Sequence, residues 1–73
     1  MREQVINAIN EFYSTHSSKT DMFFVDLMET LNLNYNNDAD KSSLDKVLRQ
    51  LQADGFIVST FSADNVFYNF KKR

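Results

Sequence analysis

The stretch from Ser42 to Phe70 constrains this chain most. It reads S-S-L-D-K-V-L-R-Q-L-Q-A-D-G-F-I-V-S-T-F-S-A-D-N-V-F-Y-N-F. Leu44, Val47, Leu48 and Leu51 recur at three- and four-residue spacing, the pattern of a helix with one apolar stripe. The only glycine, Gly55, falls where a helix end wants a left-handed residue. The period then changes. Phe56–Phe61 is aromatic and β-branched, as a strand prefers. Ser62–Asn65 is a polar turn, and Val66–Phe70 is the return strand. Within the first strand, Ile57, Ser59 and Phe61 fall on one face and Phe56, Val58 and Thr60 on the other. The helix is predicted to begin at Ser42 or Ser43. Ser42 with Asp45 three residues on resembles a capping box, with Asp in place of the preferred Glu or Gln.

Two more helices are predicted upstream. Val5, Ile6, Ile9, Phe12 and Tyr13 give an amphipathic helix from about Arg2 to about Tyr13, with Glu3 suited to the helix dipole in the first turn. Ser14–Thr20 is a polar connector. His16 sits just past the helix, where it is expected to have no role or to bond free carbonyls at the helix end. Lys19 and Thr20 are expected to supply a very short strand that pairs with the later hairpin. The second helix starts after Thr20 or Asp21, either of which can cap it, and Phe24, Leu27, Met28 and Leu31 form its stripe. Asn32–Lys41 is rich in Asn and Asp and reads as a loop, with Leu33 and Tyr35 folding back onto the core. Asn36, Asp38 and Asp40 alternate somewhat like a calcium loop. That motif needs Gly at its sixth position and Glu at its twelfth, where this chain has Lys41 and Val47, so a solvated turn is expected.

At 73 residues the chain is one domain, residues 1–73. A chain this short buries only about 60% of its unfolded surface. Seven Phe and three Tyr supply the apolar area for a core, so disorder is not expected. With no Cys and one His, neither a disulfide nor a structural zinc site is expected. No apolar run reaches the roughly 18 residues of a membrane span, and the N-terminus leads directly into a patterned helix rather than a signal sequence. These features predict a soluble, cytoplasmic protein. No cofactor is expected. The lone glycine excludes glycine-rich phosphate loops, and no nucleophile–base set appears, so the chain is not expected to be an enzyme.

Three helices and a terminal hairpin in this order resemble the winged-helix superfamily. The resemblance is carried most closely by Ser42–Val58, where Leu51, Gly55, Phe56 and Ile57 match the family's Leu-x-x-x-Gly-hydrophobic-Ile/Val run at the end of the recognition helix. It implies an α+β domain: a small winged helix of three helices followed by a C-terminal β-hairpin wing. It further implies that the third helix enters the major groove of double-stranded DNA. By position, Ser42, Ser43, Lys46, Arg49 and Gln50 form the groove-facing set, with Lys41 and Lys46 on phosphates. Arg49 can fork to guanine and Gln50 can pair with adenine. Lys71, Lys72 and Arg73 would add backbone charge as a basic tail.

The sequence also departs from that pattern. Asp45 and Asp54 flank the expected recognition surface, Asp64 occupies the wing tip, and the chain carries a net charge of −2. Two functions follow. The first is a sequence-specific DNA-binding transcriptional regulator acting as a homodimer, with Phe23, Val25, Phe61, Phe67 and Phe70 as surplus apolar residues for a self-interface. The second is a winged helix used for protein binding without DNA, for instance a small viral or plasmid-encoded protein that engages a host machine.

Overall fold

The fold is seen in a computed structural model, which describes residues 1–59 and 68–73. Chain order is α1 (Arg2–Thr15), β1 (Met22–Phe23), α2 (Phe24–Thr30), α3 (Asp38–Ala53), β2 (Ile57–Ser59) and β3 (Asn69–Lys72). Over the described residues the protein is thus a small α+β fold of three helices and a three-stranded antiparallel sheet. Strand order is β1-β3-β2, so the C-terminal strand lies in the middle. Met22 pairs with Phe70 and Phe23 with Asn69, while Ile57, Val58 and Ser59 pair with Lys72, Lys71 and Phe70.

The core forms where the three helical stripes meet the inner sheet face. Val5 and Ile9 come from α1, Phe24, Leu27 and Met28 from α2, and Leu44, Leu48 and Leu51 from α3. Met22, Ile57 and Phe70 close it from the sheet. Ile57 is buried and Val58 is 48% exposed, so the alternation expected for this strand holds over its described residues. Leu33 packs against the core as expected, whereas Tyr35 stands in solvent.

Both α2 and α3 end in the same device. Beyond α2, Asn32 adopts φ 57°, its N–H donates to the Glu29 carbonyl, and the Leu33 N–H donates to that of Met28. Beyond α3, Gly55 adopts φ 81°, its N–H donates to the Gln52 carbonyl, and the Phe56 N–H to that of Leu51. These are Schellman caps, which satisfy helix-end carbonyls and need a left-handed residue. Glycine holds that conformation without a Cβ penalty, and Asn tolerates it better than most residues.

Several boundaries differ from the sequence expectations. Helix α1 continues two residues past Tyr13, to Thr15. The short strand pairs with β3 but lies at Met22–Phe23 rather than Lys19–Thr20, and α2 starts only at Phe24. Asp21 does not cap it; its carboxylate faces Asn69 and Lys71. Helix α3 begins at Asp38, not Ser42, because Asn37 caps it: Asn37 Oδ1 accepts from the N–H groups of Ala39 and Asp40 at 2.9 and 3.2 Å. Asp38 and Asp40 then sit in the first turn, where the dipole favours carboxylates. The Ser42–Asp45 capping box is not formed, since both residues lie inside the helix. β2 is described over Ile57–Ser59 and β3 over Asn69–Lys72. The expected turn at Ser62–Asn65, with Thr60, Phe61, Val66 and Phe67, lies outside the described residues.

Candidate functional site

The outward side of α3 is built by its own periodicity. Leu44, Leu48 and Leu51 turn inward, so Ser42, Ser43, Lys46, Arg49 and Gln50 share the opposite side, and all five are exposed. They span nine residues, roughly 12 Å of helix. To this extent α3 brings the expected groove-facing set together.

Two of the three α3 cations are paired. Arg49 Nε donates to Asp45 Oδ2 at 2.8 Å, one turn away on the same helix. Lys41 Nζ lies 3.1 Å from Asp38 Oδ1, and its side chain is only 22% exposed. Lys46 alone of the three helix cations has no ion-pair partner among the described residues. Gln52 turns toward the sheet, where its Oε1 accepts from the Ser59 N–H at 2.7 Å.

Asp45 is the hub of this arrangement. While Oδ2 takes Arg49, Oδ1 accepts from the Tyr68 hydroxyl at 2.8 Å. The residue that enters β3 is thereby fastened to the middle of α3. Burial raises the Tyr68 phenol well above its ordinary pKa, and the hydrogen bond to Asp45 and that carboxylate's negative charge push the same way. Tyr68 therefore remains a neutral donor, and Asp45 stays committed to two partners.

The three C-terminal cations are not a tail. Lys71 and Lys72 belong to β3, the central strand. Lys71 Nζ lies 3.4 Å from Asp21. Lys72 Nζ donates to Asn10 Oδ1 at 2.9 Å and lies 5.7 Å from the Phe56 ring centroid. The Arg73 N–H donates to the Phe56 carbonyl, and its guanidinium lies beside Gly55. Lys72 and Arg73 thus lie against the residues just past the C-terminal end of α3, about 17 Å along the helix from Ser42, whereas the Lys71 amine faces Asp21. Asp54 at that same end pairs with Arg2.

A small apolar groove lies next to the Tyr68–Asp45 contact. Phe23, Phe24, Val25, Tyr68 and Asn69 line about 250 Å³. Phe23 is 50% exposed and Val25 38%. Of the expected self-interface residues, these two do face solvent. Phe70 does not: it is 2% exposed and part of the core, because β3 sits centrally and turns it inward beside Met22. Phe61 and Phe67 lie outside the described residues.

The remaining singled-out side chains have local roles. His16 stacks on Phe12 at 4.2 Å, and its Nδ1 lies 2.9 Å from the Phe12 carbonyl, to which it donates in the Nδ1-protonated tautomer. The Tyr13 hydroxyl donates to the Thr20 carbonyl at 2.6 Å, closing the connector over the sheet. The acids of the expected loop are used in folding, Asp38 on Lys41 and Asp40 Oδ2 as acceptor of the Asn34 N–H. Among the described residues, no group of three or more His, Cys, Asp or Glu is placed to hold a metal ion, and no helix is long and apolar enough to cross a membrane. Sequence reasoning did not anticipate Tyr68 as a partner of Asp45, because the two are 23 positions apart.

Comparison of the chain with protein-family models, with curated proteins and with solved structures finds no match.

Proposed function

We propose that this chain is a winged-helix module that works by protein contact. Its chain order α1-β1-α2-α3-β2-β3, with β3 between β1 and β2, supports the winged-helix reading. The observation that carries the function is the internal neutralisation of α3. Two of its three cations are paired with carboxylates of the same helix. A DNA reader needs cations available to phosphate, since that electrostatic contribution dominates affinity. The cations of β3 do not make up the deficit, because the Lys71 amine is held at Asp21 and that of Lys72 at Asn10. A neutral face beside exposed Phe23 and Val25 suits a protein surface better, where apolar and aromatic anchors carry the energy.

One observation favours the second reading, a homodimeric DNA-binding regulator. Ser42, Ser43, Lys46 and Gln50 form one exposed polar stripe, the right residue types for base edges. A fluorescence anisotropy titration with pooled duplex DNA at low salt separates the two. The protein-contact reading expects no saturable binding. Sequence-selective binding that disappears in Arg49→Ala would establish the DNA reading instead.

A further inference from the structure

Helices α1 and α2 form a second groove, away from the α3 face. Ala8, Glu11, Phe12 and Thr15 follow the three- and four-residue spacing that puts side chains on one side of a helix, and together with Asp26 and Thr30 of α2 they line about 330 Å³. The floor is apolar: Ala8 and Met22 are buried, and Phe12 packs against the core. His16, stacked on Phe12, closes one end. The two walls each carry a carboxylate, Glu11 from α1 and Asp26 from α2. Neither takes part in an ion pair among the described residues, and no Lys or Arg lines the groove.

The surroundings reinforce that charge. Together α1 and α2 carry four carboxylates, Glu3, Glu11, Asp26 and Glu29, against Arg2 alone, and Arg2 is occupied by Asp54. The acidity of the chain is therefore concentrated here, whereas α3 holds three acids and three cations. An apolar floor between two unpaired carboxylates is complementary to an apolar side chain flanked by cations.

We infer that the α1–α2 groove docks a basic amphipathic segment of a partner protein, with an apolar residue over Ala8, Phe12 and Met22 and a Lys or Arg toward each of Glu11 and Asp26. This names the partner chemistry for the protein-contact reading and rests on it. The acids give selectivity and on-rate, and the apolar floor supplies most of the contact energy.

The test uses the full chain, isotopically labelled, with amide shifts followed by NMR. The probe is a helical Leu/Lys peptide of roughly 15 residues, long enough to hold a helix on binding; the control has Glu in place of every Lys. The Leu/Lys peptide is expected to move the amides of Ala8, Glu11, Phe12, Met22 and Asp26, and the Glu control to move none. In Glu11→Gln/Asp26→Asn its affinity should fall roughly fivefold or more, the sum of two surface ion pairs. Both residues are exposed, so the spectrum of this variant reports whether the fold is kept, and single substitutions serve if it is not. Absence of binding, shifts centred on α3 or the sheet, equal response to the Glu control, or unchanged affinity in the variants would overturn the assignment. Self-association through the groove, seen as concentration-dependent shifts of the same amides without peptide, would also overturn it. A duplex DNA arm on the same sample separates the two failures: shifts at Ser42, Ser43 and Lys46 would refute the protein-contact reading itself, whereas the groove assignment is decided by the peptide arms.

Discussion

The outward face of α3 and the α1–α2 groove treat charge in opposite ways. On α3 each of Asp38 and Asp45 meets a cation one turn on, so a row of charged residues has little net field. On α1 and α2 the carboxylates are left to solvent, and Glu11 and Asp26 flank an apolar floor. The same chain therefore presents one polar, balanced surface and one acidic surface. Net charge summed over the sequence cannot distinguish them. Placement by element does, because i,i+4 neighbours neutralise each other while isolated carboxylates keep their field.

The difference depends on α3 being clamped to β3, so the largest expected effects come from that junction. Phe70→Ala should cost about 3–5 kcal/mol, the usual range for a buried Phe, read by chemical denaturation. An unchanged stability with an altered oligomeric state would return Phe70 to a surface role and break the account of β3 as the central strand. Tyr68→Phe removes the donor to Asp45 and should cost about 1–2 kcal/mol. It also changes the pH profile. The Tyr68 phenol is raised in the folded state, so its contribution is fully present below the unfolded value near 10 and declines as pH rises above it. Burial, the leading cause, raises Tyr13 in the same direction. Wild-type stability should therefore fall above about pH 10, and less steeply in Tyr68→Phe. Equal slopes would remove Tyr68 from the explanation.

The next effect concerns where α3 begins. Asn37→Ala should destabilise by about 1 kcal/mol, the typical loss of an N-cap, while Ser42→Ala should stay within about 0.5 kcal/mol as a surface change. The reverse order would restore the start at Ser42. The smallest effect belongs to Lys46→Ala. With no ion-pair partner among the described residues, Lys46 should leave stability within about 0.5 kcal/mol; a larger loss by thermal unfolding would mean that this face is built into the fold.

The residues that were legible in the sequence are those whose role is local. The Leu44–Leu51 stripe and the stop at Gly55 follow from spacing and from one backbone conformation, and both hold in the structure. The start of α3 was also locally encoded, in Asn37 followed by Asp38 and Asp40. The competing Ser42–Asp45 box hid it, although an Asn cap with acids in the first turn was the better signal. Lys71 and Lys72 were hidden by their charge. A run of cations at a chain end looks like a solvated tail, yet an outward Lys71 and a Lys72 whose ammonium lies over the Phe56 ring fit a strand, because long cationic side chains can cover apolar surface. The Tyr68–Asp45 contact had no sequence signal, since it joins the residue before a strand to a helix 23 positions away through tertiary packing. Of the expected nucleic-acid set, the stripe on α3 came together, but its separation from Lys71–Arg73 followed from topology that no periodicity encodes.

Neutralisation of α3 is the central claim, and freeing its cations tests it most directly. Duplex-DNA affinity would be measured from roughly 50 to 200 mM salt for the wild type and for Asp38→Asn/Asp45→Asn, which keeps both side chains' shape. The account predicts no measurable binding by the wild type. It predicts that the variant gains affinity with a log–log salt slope no steeper than about −2.7, the value for three phosphate contacts. A wild type that binds with the same affinity and slope as the variant would contradict it.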